Sequence, residues 1–84
     1  MVQENLSLND YYSTSDLALA AVISLWFPME FIDRTNPHKA AFLFRREKGL
    51  EEIVESFWKR DLKIEPQAYF SQIKAVKARL YGES

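Results

Sequence analysis

The sequence predicts an α+β domain: one small antiparallel sheet packed on three helices, in the order helix, β-hairpin, helix, helix. The first observation behind this is an apolar run from Leu17 to Phe27, broken only by Ser24, about half the length needed to cross a bilayer and therefore read as a buried helix. Next come two alternating stretches, Met29 to Thr35 and Lys39 to Arg46, that flank the turn-forming Asn36 and Pro37 and read as a hairpin. Finally, helical spacing recurs twice, at Leu50, Ile53, Val54, Phe57 and Trp58 and again at Tyr69, Ile73, Val76 and Leu80.

Taken in order, residues 1–10 are a polar, mobile lead-in, followed by a short extended piece around Tyr11 and Tyr12, and residues 11–84 form a single globular domain. Ser13 and Asp16 resemble a capping box, with Tyr12 stapled on Leu17, and start a helix that runs to Trp26 before Pro28 stops it. In the hairpin, Phe31 and Ile32 fall on opposite faces of the first strand, while Phe42 and Phe44 share one face of the second, across from Ala41 and Leu43. Gly49 separates the hairpin from a second helix whose acids Glu51, Glu52 and Glu55 come early and whose Lys59 and Arg60 come late, as the helix dipole favours. Leu62 and Ile64 alternate with charge and are read as a short edge strand. Pro66 opens the third helix and Gly82 stops it.

A chain of 84 residues buries roughly 60 to 65% of the surface that it exposes when unfolded, so its core is small and oligomerisation is a reasonable supplement. The absence of cysteine excludes disulfides and thiolate metal sites, and the single histidine, His38, excludes a multi-histidine cluster; no cofactor is expected. Residues 1–9 carry no basic region followed by an apolar run, so the protein is expected in the cytoplasm, or in the host cytoplasm if it is viral, with no membrane partner.

The runs Tyr12-Ser13-Thr14-Ser15-Asp16-Leu17, Phe31-Ile32-Asp33-Arg34-Thr35-Asn36-Pro37-His38-Lys39 and Phe42-Leu43-Phe44 resemble a small uncharacterised family of short bacterial and phage proteins. The likeness covers most of the chain, including Glu65-Pro66-Gln67-Ala68-Tyr69-Phe70 and Lys77-Ala78-Arg79-Leu80-Tyr81. It implies a microbial or viral accessory protein and supplies no catalytic or binding residues.

Charge is the most informative functional feature. The net of −1 hides an asymmetry: residues 1–33 hold five acids and no lysine or arginine, whereas residues 34–84 hold all 11 basic residues against seven acids. Such asymmetry points toward an anionic partner, and Arg34, Lys39, Arg45, Arg46, Lys74 and Lys77 are the candidate nucleic-acid contacts. Arg79 lies off the stripe shared by Lys74 and Lys77, and Phe42 and Phe44 are a candidate base-stacking platform only if their face turns away from the core. The opposing account is a solvated surface, favoured by a pI near 5.8. Asp33, Arg34 and His38 are the one cluster with acid and base chemistry, yet turn bonding from Asp33 and Asn36 is the favoured account of it, since no nucleophile accompanies it. The aromatic residues outnumber the places in one small core, which makes Trp58 and Tyr81 candidate interface residues. The expectation is a non-catalytic module that binds a protein partner or itself, with no small-molecule substrate evident; the alternative is a nucleic-acid-binding accessory protein using the hairpin and third helix.

Overall fold

The computed structural model describes residues 10–82, in which β1 (Tyr11–Thr14), α1 (Leu17–Ile23), β2 (Met29–Asp33), β3 (Ala41–Arg45), α2 (Leu50–Lys59) and α3 (Pro66–Gly82) follow in that order. Apart from Asp10, the expected lead-in lies outside the described residues. Asp10 immediately precedes β1, and its carbonyl accepts the Arg46 amide at 2.9 Å.

The sheet has the order β1-β3-β2, antiparallel throughout. The extended piece around Tyr11 is thus a full strand, and the predicted hairpin supplies only two of the three strands. β1 and β2 flank β3, and α1 connects them as a split β-α-β unit. Tyr12 lies opposite Phe44 and Thr14 opposite Phe42, which keeps Ser13 inside the strand and moves the helix cap to Asp16. Its carboxylate accepts the Leu19 amide at 3.1 Å, and Thr14 Oγ1 accepts the Asp16 amide at the same distance. Long-range pairing thereby displaces the local capping signal at Ser13.

α1 also ends earlier than its apolar run predicts, at Ile23 rather than Trp26. Ser24 Oγ lies 2.7 Å from the Ala21 carbonyl and 3.1 Å from Gln72 Oε1 on α3. The amides of Leu25 and Trp26 then reach back three residues instead of four, which tightens the turn. Trp26 is left exposed.

The core forms where α1 lies between the sheet and the other helices. Leu19, Ala20, Ala21 and Ile23 of α1 meet Phe42 and Phe44 of β3, Met29, Leu50 and Val76, all buried. Tyr69, Ile73 and Leu80 of α3 pack against this cluster, matching the predicted inward stripe. Phe42 and Phe44 therefore belong to the core, and the stacking-platform reading of that pair is incorrect. The opposite face of the sheet carries Leu43, Tyr11 and the exposed Phe31, with the Tyr11 and Phe31 rings edge to face at 5.3 Å.

Gly49 sits at φ 95°, a left-handed conformation that glycine takes without penalty, and it turns the chain from the β3 exit into α2. At the other end of α2, the Arg60 amide bonds the Phe57 carbonyl and the Asp61 amide bonds the Ser56 carbonyl, a Schellman closure. Residues 61–65 run on without forming the expected strand. Glu65 then caps α3, its carboxylate accepting the amides of Gln67 at 3.1 Å and Ala68 at 2.8 Å. Gly82 is the last residue of α3 rather than a stop beyond it.

Candidate functional site

Of the six cations proposed from sequence as phosphate contacts, those on the hairpin divide between its two ends. Arg34 follows β2, and its guanidinium forks onto the last turn of α3, donating to the Leu80 and Arg79 carbonyls at 2.9 Å each. Arg79 reciprocates, donating to the Met29 carbonyl of β2 at 2.9 Å. The two arginines clasp the edge strand to the helix, and Arg34 occupies carbonyls that the helix terminus leaves without partners. Lys39 is exposed at this hairpin end. Arg45 and Arg46 lie at the other end of β3, roughly 13 Å away at four residue steps.

Arg45 sits over the Tyr11 ring at 5.5 Å, whereas Arg46 sits 5.7 Å from the Tyr12 ring and pairs with Glu51 of α2. Burial, with the charge of Glu51, holds the Tyr12 hydroxyl above its ordinary range against the opposing effect of Arg46. Lys74 and Lys77 lie exposed on α3. Three of the six cations are thus engaged in packing or pairing.

The acid and base cluster resolves into turn structure. Asp33 accepts from the Thr35 amide at 2.9 Å and from the Thr35 hydroxyl at 2.5 Å, which together hold its carboxyl below the ordinary range. The His38 amide donates to Asn36 Oδ1 at 2.9 Å, and no hydrogen bond joins the His38 ring to Asp33. Among the described residues, no group of three or more His, Asp or Glu side chains could hold a metal ion, and no helix is long and apolar enough to cross a membrane.

Trp58 and Tyr81, the candidate interface residues, are 60% and 76% exposed. They lie on separate elements: Trp58 is beside Val54, Glu51, Glu55 and Lys59 on α2, and Tyr81 is beside Pro37 and Leu80 at the hairpin end.

A further concavity, lined by apolar and aromatic side chains and one arginine, lies elsewhere. α2 and α3 both pack mainly on α1, which leaves an open trough between them. Val22 of α1 forms its floor, Phe57 one wall, and Tyr69 with Phe70 the other, while Leu62, Ile64 and Pro66 close one end. The space measures about 370 Å³, within the range of ligand-binding clefts. Phe70 is 61% exposed and tilts against Tyr69 with ring centroids 5.9 Å apart. The alternation of Leu62 and Ile64, read from sequence as a strand, turns both side chains into this trough while Lys63 remains exposed.

Arg60 is the one charged residue that lines the trough, and its guanidinium makes no hydrogen bond or ion pair among the described residues. Its backbone stands at φ 65°, the only non-glycine residue with positive φ among those described. A left-handed conformation costs an L-residue about 1–2 kcal/mol, and glycine is the usual occupant of this position in a Schellman closure.

Sequence reasoning missed both Phe70 and Arg60, although each left a signal. Phe70 is a large apolar residue off the inward stripe of α3, and Arg60 occupies the helix-ending position where glycine is expected. No curated protein and no solved structure matches the chain. A family model matches residues 9–82, so that nearly the whole described structure is the family's domain, and the chain belongs to the family described as Domain of unknown function (DUF5659).

Proposed function

We propose that this protein is a non-catalytic interaction module that binds a segment of a partner protein in the trough between α2 and α3. One observation carries the reading: two helices pack mainly on a shared third helix, and they leave apolar walls and the mostly exposed Phe70 open to solvent. A phenylalanine held in water forgoes the roughly 1.5–3 kcal/mol that its full burial would contribute, and a partner side chain entering the trough recovers part of it. Aromatic anchors over a concave apolar surface are the usual centre of a protein interface.

The nucleic-acid alternative has less support. A strand-tracking surface requires several free cations along one groove, and here the hairpin cations divide between two ends of β3 while Arg34 and Arg46 already have partners. A cytoplasmic accessory role in a bacterium or phage is part of the same proposal and rests on the sequence resemblance.

The test is selection of displayed peptides on the intact protein, with a counter-screen on Phe70→Asp. Peptides whose binding persists at about 0.5 M salt and vanishes on the variant are expected, because apolar contact is insensitive to screening. Circular dichroism should show that the variant keeps its fold, since Phe70 is largely outside the core. Selected peptides that bind both proteins equally would place the interaction elsewhere and refute the reading. Salt-sensitive binding of labelled single-stranded DNA or RNA, lost on double reversal of Lys74 and Lys77, would replace it with the alternative.

A further inference from the structure

We infer that the occupant of the trough is an amphipathic helix of a different protein, carrying a carboxylate at the rim of its apolar stripe that seats on Arg60. The inference rests on the trough being the docking site and specifies the chemistry of what docks there.

Charge complementarity supplies the first support. Every other lining residue is apolar or aromatic, so an entering segment meets an apolar surface with one cation. Arg60 makes no ion pair with its neighbour Asp61 or with any other described acid. A guanidinium presents a fork of donors that matches a single carboxylate in two parallel bonds. Nucleic acid would demand a row of cations, and this wall offers one.

Backbone geometry supplies the second support, independently of charge. Glycine would close α2 at φ 65° without strain, yet the chain places there a long charged side chain that lines the trough. Strain held at a position that folding alone would relieve is characteristic of binding sites.

The third support separates a different protein from a second copy. Pairing two troughs about a twofold axis would bring two unpartnered Arg60 guanidiniums into one seam, and like charges in a desolvated interface oppose association. A helix is favoured because the gap lies between two helices on a helical floor, where an amphipathic fourth helix buries its stripe against all three.

The experiment uses labelled helical peptides of about 16 residues with a leucine stripe at helical spacing. Glu, Gln or Lys is placed in turn at each position flanking the stripe, and anisotropy is measured with the full chain and with Arg60→Gly. At the best rim position, the Glu peptide should bind about 5-fold tighter than the Gln peptide and about 10-fold or more tighter than the Lys peptide. In Arg60→Gly these ratios should fall below about 2-fold while the Gln peptide keeps its affinity. Equal affinity of the three peptides for the natural chain, or a preference that survives Arg60→Gly, overturns the carboxylate anchor and leaves the trough as an apolar docking site. Failure of every peptide to bind overturns the docking site as well.

Discussion

Replacing Arg34 with alanine separates a structural arginine from a phosphate-binding one. The side chain makes two bonds of 2.9 Å from one guanidinium to the Leu80 and Arg79 carbonyls, and both are solvent-exposed. A hydrogen bond with a charged donor contributes about 1.5–3 kcal/mol in a protected setting. Exposure reduces this to about 0.5–1 kcal/mol for each bond, because water solvates the freed carbonyls and screens the charge. The expected loss is therefore about 1–2 kcal/mol, which in a domain of this size lowers Tm by roughly 5–15 °C. Arg34→Lys should recover less than half of the loss, since an ammonium keeps the charge near the helix C-terminus but cannot fork onto two carbonyls. Thermal unfolding followed by far-UV circular dichroism gives the readout, and hydrogen exchange at the last turn of α3 should accelerate in the alanine variant. A Tm within about 2 °C of the natural protein would refute the clasp and return Arg34 to the set of free surface cations.

Three further outcomes follow from the same geometry. Phe44→Ala removes a fully buried ring where β3 meets α1 and should destabilise by about 3–5 kcal/mol in denaturant titration, enough to unfold a marginal domain. Arg60→Gly should raise stability by about 0.5 kcal/mol, because relief of the left-handed backbone exceeds the added flexibility of glycine in the unfolded chain; a clear fall in Tm would show that the side chain supports the fold. Asp33 has a depressed carboxyl in the folded state, so its contribution to stability is present above the ordinary aspartate range and lost as pH falls through the folded value. Thr35→Val removes the hydroxyl donor, so the Asp33 titration observed by NMR should move up toward the ordinary range, and the two proteins should converge in Tm at low pH; an unchanged titration would show that the Thr35 hydroxyl has no part in the shift.

By itself, the sequence determined the α+β class, the positions of α2 and α3 and the inward stripe of α3. These are written in local code: the spacing of Leu50 through Phe57, the glycine before α2, the proline that opens α3, and the stripe from Tyr69 to Leu80. Local code also placed the turn at Asn36 and Pro37, where side-chain bonds to backbone amides close the loop. It failed wherever a distant segment competed with a neighbour. Ser13 resembles a helix cap, but pairing with β3 keeps it in a strand, and α1 stops at Ser24, whose hydroxyl meets both its own helix and Gln72 of α3.

The candidate site was less legible than the fold because no single segment contains it. Phe57, Leu62, Tyr69 and Phe70 become one surface only because α2 and α3 both settle on α1, and periodicity cannot reveal a gap between two helices. The cations show the reverse effect. Arg34, Arg45 and Arg46 look equivalent as charges along the chain, yet folding sends the first to helix carbonyls, the second over an aromatic ring and the third to a carboxylate. Periodicity and turn chemistry act over a few residues and survive in the sequence as patterns. Which charges remain free, and which apolar side chains remain uncovered, depends on distances between segments that only the tertiary structure establishes.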